Sequence, residues 1–101
     1  MLAASPAPAS PPPRIVTLAP HLAELVFAAG AGSRLVATVA FSDHPSAAAA
    51  VPVIGDAFRV DLERLVAARP DVVLVWAGGN PAALIESVEA LGFPVVALRT
   101  D

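Results

Sequence analysis

The chain has 101 residues, enough for one domain, of which 56% are hydrophobic and only 15% charged. Six arginines, no lysine and nine acidic residues leave a net charge of −3, and binding to a phosphate backbone would need a positive surface field instead, which argues against nucleic acid. Cysteine is absent, which excludes disulfides, thiolate nucleophiles and thiolate metal sites, and no uninterrupted apolar run reaches the roughly 18–20 residues of a membrane-spanning helix.

Residues 1–13, MLAASPAPASPPP, are rich in Ala, Pro and Ser. Such a composition cannot build a core, so a disordered leader is expected. It lacks the basic start and long apolar stretch of a complete signal peptide. Ala7-Pro8-Ala9 has the small-residue character of the end of a truncated one.

From Arg14 onward, strand and helix patterns alternate. Ile15–Leu18 forms an apolar strand that runs through Ala19-Pro20-His21 into an amphipathic helix. Leu22, Leu25, Val26 and Ala29 share the expected buried face of that helix, and Gly30 stops it. A second strand spans Leu35–Ala40 and ends in Phe41-Ser42-Asp43-His44-Pro45. A short extended piece at Val51–Ile54 leads into Gly55-Asp56-Ala57-Phe58-Arg59. Asp61 is placed to cap a second helix that buries Leu62, Leu65 and Val66 and ends before Pro70. The strand Val72–Trp76 follows, then Ala77-Gly78-Gly79-Asn80. Asn80 as N-cap and Pro81 at the first helical position open a third helix, which buries Leu84, Ile85, Val88 and Leu91 and stops at Gly92. Val95–Leu98 is the last strand.

These are β-α-β units. They imply an α/β domain with a parallel sheet of four or five strands buried by helices on both faces. A doubly wound sheet ordinarily adds a helix after its last strand, so residues 14–101 read as part of something larger.

In a parallel sheet the loops that follow the strands gather at one edge, and ligands bind there. Both histidines, the single Trp and two of the four Phe fall in those loops. Aromatics offer flat contact area, and Ser, Asn and backbone amides offer fixed hydrogen bonds. His21 stands three residues before Glu24, in the N-cap place of a capping-box pattern, where Ser, Thr, Asp or Asn is usual. His44 has the chemistry of a metal or haem-iron ligand, although a lone loop histidine more often only hydrogen-bonds.

Ser42-Asp43-His44 holds the letters of a catalytic triad, but a triad brings its members together from different segments. Gly30-x-Gly32 follows a helix where a dinucleotide fingerprint follows a strand. Neither supports catalysis, and no acid–base pair stands out. Glu63 sits off the apolar stripe of the second helix and should face solvent, where a first-turn carboxylate favours the helix dipole.

The segments RIVTLAPHLAELVFAAG, SDHP, DLERL, RPDVVLVW and GNP together resemble the N-terminal lobe of cobalamin-binding periplasmic proteins of ABC importers. These belong to the helical-backbone substrate-binding proteins, which also serve iron-siderophores, haem and metals. The likeness covers residues 14–98.

It implies a Rossmann-like lobe, cut before the helix that joins two lobes, acting in the periplasm as a monomeric, non-enzymatic carrier. A corrinoid would be its ligand and an importer permease its partner. Pro20, His21, Phe41, Ser42, Asp43, His44, Phe58, Trp76, Ala77 and Gly78 would face the ligand, with no bound metal. Glu63, in DLERL, would dock against arginines of the permease. A single lobe offers about half the enclosure of such a cleft, so weak binding is expected of it alone.

The resemblance leaves iron-siderophore, haem or metal capture as alternatives within the family. A Rossmann-like enzyme fragment and a purely structural α/β domain are the alternatives outside it.

Overall fold

The computed structural model describes residues 12–99; residues 1–11 of the expected leader lie outside the described residues. The chain orders as β1 (Ile15–Thr17), α1 (Pro20–Ala28), β2 (Leu35–Ala37), α2 (Leu62–Ala68), β3 (Val72–Trp76), α3 (Ala82–Ala90) and β4 (Val95–Leu98). Short 3-10 turns at Gly32–Arg34 and Ser46–Ala50 fill two connections. Neither is marked by the sequence pattern, since Gly32–Arg34 is too short and the alanine run carries no periodicity.

The four strands form one parallel sheet in the order β2-β1-β3-β4. Ile15 pairs with Val72 and Thr17 with Leu74, while Leu74 pairs with Val96 and Trp76 with Leu98. Alternation then divides the apolar residues between two faces. Val16, Leu18, Val73 and Val75 pack with Leu65 of α2 and Val88 of α3. Ala23 and Val26 of α1 pack with Leu35 on the other face, with Ile15 and Leu74 beside them. The sheet is thus sandwiched between α1 and the α2/α3 pair, as the alternating pattern implied.

Three helical faces are rotated from expectation. In α1, Leu22, Ala23 and Val26 are buried, whereas Leu25 is 48% exposed and Ala29 is exposed. At 3.6 residues per turn, Leu25 lies about 110° from the centre of the arc spanned by Leu22, Ala23 and Val26. The small Ala23 side chain lets that arc sit against the sheet, so packing overrides the larger Leu25. Val66 and Leu91 are likewise 47% and 40% exposed, since α2 and α3 turn Leu65 and Val88 inward.

Strand β2 is shorter than Leu35–Ala40, and Val51–Ile54 is no continuous strand. Thr38 instead makes a single parallel bridge to Val53, with the Thr38 N–H donating to Pro52 O and the Ile54 N–H to Thr38 O at 2.9 Å each.

The caps hold in one helix and fail in two. Asp61 caps α2, its carboxylate accepting from the N–H groups of Glu63 (3.0 Å) and Arg64 (3.2 Å). In α1 the cap is Ala19 with no side-chain bond, and Pro20 takes the first helical position, which moves His21 inside the first turn. In α3 the cap is Pro81, because the Asn80 side chain is engaged elsewhere.

Candidate functional site

All four strands run parallel, so β1, β2, β3 and β4 deliver Leu18, Thr38, Ala77 and Arg99 to the same edge of the sheet. Hydrogen bonds then join the loops at that edge into a continuous rim. Asn80, only 6% exposed, is the main tie. Its Oδ1 accepts from the Trp76 N–H at 2.6 Å, and its Nδ2 donates to Leu18 O at 2.9 Å and to Ala57 O at 2.7 Å. One carboxamide thereby links the end of β1, the loop carrying Phe58 and the turn after β3. An amide can do this because it carries both an acceptor and two donors.

The loop after β2 is fixed by a second set of bonds. The hydroxyls of Thr17 and Thr38, both fully buried, lie 2.7 Å apart, and the Thr38 hydroxyl donates to Ser42 Oγ at 3.0 Å. The Ala40 N–H donates to Gly55 O at 2.8 Å, which joins this loop to the next. Asp56 shapes that next loop. Its carboxylate accepts from the N–H groups of Phe58 and Arg59, each at 2.8 Å, and these two bonds hold its pKa below the usual 3.8.

On this rim stand the side chains that the sequence singled out. His21 meets Trp76 edge to face, with ring centroids 4.8 Å apart and planes at 80°. The Trp76 ring lies so close over Gly79 that a Cβ there would collide with it. Glycine at position 79 is therefore what allows the indole to lie against its own turn. Phe41 is 83% exposed at a φ of 71°, in the left-handed region that a bulky residue rarely occupies. Phe58 is 64% exposed. Asp43 and His44 are exposed, Pro20 and Ala77 are half-buried, and Gly78 is exposed.

Ser42 differs from its neighbours. It is buried, and its hydroxyl is spent on Thr38, so it holds the loop's shape. Among the described residues no three His, Cys, Asp or Glu side chains gather as metal donors. Glu63 is exposed in the first turn of α2, which follows the loop that carries Phe58.

Two rim residues escaped the sequence reading. Asn80 looked like a helix cap, and nothing local shows that its partners lie 62 and 23 residues away. Arg99 was passed over because it follows the last strand, yet that position puts it at the same edge as Trp76.

Residues 15–101 match the family model described as periplasmic binding protein. The chain belongs to the periplasmic binding protein family. The vitamin B12-binding protein of Vibrio vulnificus is 37% identical over 92 residues, which is 91% of this chain and 34% of that protein. A crystal structure of the periplasmic vitamin B12-binding protein of Vibrio cholerae superposes with a TM-score of 0.78 at 33% identity, covering 83% of this chain and 33% of that one. A periplasmic haem-binding protein from Pseudomonas aeruginosa superposes equally well, with a TM-score of 0.78 at 30% identity over 88% of this chain and 32% of that one.

The chain thus spans about a third of the length of the relatives it matches. Its parallel α/β layer is that of one lobe of a periplasmic binding protein.

Proposed function

We propose that this lobe forms one wall of a ligand cleft that captures a corrinoid for delivery to the permease of an ABC importer. The observation that carries the reading is the rim itself. Phe41 and Phe58 are exposed on loops, Trp76 is half-buried at the end of β3, and hydrogen bonds join these segments at the carboxyl edge of the sheet. Exposed aromatics held on a rigid scaffold have no folding role and suit a large, flat macrocycle. The vitamin B12-binding relatives support the corrinoid as that macrocycle.

In this reading Pro20, His21, Phe41, Asp43, His44, Phe58, Trp76, Ala77 and Gly78 face the ligand, and Ser42 supports them from below. Binding is positional. The hydrogen-bonded rim keeps the aromatics in place before the ligand arrives, so little ordering entropy opposes contact. Glu63 serves as an exposed carboxylate for pairing with permease arginines. The setting is the periplasm.

Haem is the second reading. It is favoured by the Pseudomonas aeruginosa neighbour and by the exposed imidazole of His44.

Calorimetric titration of the chain with cyanocobalamin and, separately, with hemin tests the proposal. Weak binding of cyanocobalamin in preference to hemin is expected, because one wall supplies about half of the contacts. Preference for hemin would favour the second reading, and binding of neither would remove both.

A further inference from the structure

We propose that Arg99 and the turn at Gly78 form an anion subsite at the end of the rim, for an acidic substituent of the bound macrocycle. The inference rests on the cleft reading above and adds to it a determinant of ligand choice.

Position is the first argument. Trp76 pairs with Leu98, and the Ala77 N–H donates to Leu98 O at 2.9 Å, so β4 hands Arg99 directly to the turn that carries Trp76. Arg99 Nη1 reaches to 3.9 Å from where a Cβ on Gly78 would stand. Gly78 has a φ of 86°, a conformation open to glycine, and with no side chain it leaves the space before the guanidinium open.

The second argument is what these donors lack. Among the described residues the Arg99 guanidinium has no carboxylate or hydrogen-bond partner, and the Gly78 N–H donates to no acceptor. The Arg14 side chain is bonded to Ala68 O, Arg64 pairs with Asp61 and Arg59 interacts with Asp56, while Arg34 and Arg69, whose side chains like that of Arg99 have no partner among the described residues, precede β2 and β3 and so lie at the opposite edge. A planar guanidinium beside a free backbone N–H suits the two oxygens of a phosphate or carboxylate.

The aromatic side of the site and the cationic side are adjacent. The Trp76 indole offers flat aromatic area, with His21 set edge to face against it, and Arg99 follows Leu98, the pairing partner of Trp76, at the same edge. A macrocycle seated on the aromatics would carry its acidic group to Arg99. Two sources share that chemistry, the phosphodiester of a complete corrinoid and the propionates of a haem.

The chain holds one Trp, so its single indole N–H resonance reports the site directly. That resonance is followed in the wild-type chain and in Arg99→Gln during titration with cyanocobalamin, with dicyanocobinamide, which lacks the phosphodiester, with hemin and with hemin dimethyl ester. Arg99 is exposed, so Arg99→Gln is expected to keep the wild-type fold, which the dispersion of its amide resonances checks.

A loss of about five- to tenfold in cyanocobalamin affinity with dicyanocobinamide unchanged supports the subsite and assigns it to phosphate. The same loss for hemin, with the ester unchanged, supports it and assigns it to carboxylate. Equal affinities of the wild type and the variant for all four probes overturn the subsite and leave the cleft standing. No response of the wild-type indole to any probe overturns both.

Discussion

His21, in the first turn of α1, places its ring edge to face with Trp76 at the end of β3, at a centroid separation of 4.8 Å. The contact joins two segments 55 positions apart in a chain of 101 residues and forms the aromatic corner of the rim. If this corner carries ligand contact, Trp76→Ala lowers corrinoid affinity about tenfold or more while the chain stays folded. His21→Ala lowers it less and shifts the Trp76 fluorescence maximum, since the edge contact polarises the indole. Fluorescence and circular dichroism of the two variants separate these effects.

Asn80 is expected to matter for stability more than any exposed rim residue. Asn80→Ala strips the partner from two carbonyls and one N–H at the rim. Leaving such groups unsatisfied should cost about 2–4 kcal/mol in urea unfolding. Asn80→Asp should be no better, because a carboxylate cannot donate to Leu18 O or Ala57 O. Wild-type stability in Asn80→Asp would show that these bonds carry no weight.

The parallel α/β layer was legible from the spacing of Val, Ile and Leu, and the loops facing the edge followed from strand direction alone. What stayed hidden was set by tertiary geometry. The choice of Ala23 over Leu25 as the inward residue of α1 depends on how closely the helix can approach the sheet. The role of Asn80 depends on carbonyls distant in sequence. Ser42 reads as a ligand contact from its place in SDHP, in the loop after the second strand, and only the buried hydroxyls of Thr17 and Thr38 show why it turns inward.

Phe41 offers a trade between stability and binding. Its backbone occupies the left-handed region and its side chain buries almost nothing. Phe41→Gly should therefore raise thermal stability by about 1 kcal/mol, because the strain of a side chain at positive φ is removed. The same change should weaken corrinoid binding. Destabilisation in Phe41→Gly would mean that the ring supports the fold.

The Asp56 turn gives a pH dependence. The folded pKa of Asp56 lies below 3.8, so its contribution to the loop is complete above that value and is lost as pH falls through the folded pKa. The amide resonances of Phe58 and Arg59 should move together in acid with a midpoint below 3.8. Asp56→Asn should abolish that titration. A midpoint at or above 3.8 contradicts the role of the two amide bonds in holding the carboxylate ionised.

Glu63→Ala should change stability by no more than about 0.5 kcal/mol, since the side chain is exposed. Ligand affinity should hold, while transport by a reconstituted importer carrying the variant in a full-length binding protein should fall. Loss of ligand binding with intact docking would refute the assigned role.

The central claim is that the carboxyl edge of the sheet is the ligand face. Backbone amide shifts mapped during titration of the chain with millimolar cyanocobalamin test it most directly. The account predicts movement at His21, Phe41, Phe58, Trp76 and Gly78, with Ser33, Arg34 and Asp71 at the opposite edge unchanged. Movement confined to the opposite edge or to the outer faces of α2 and α3 would contradict it.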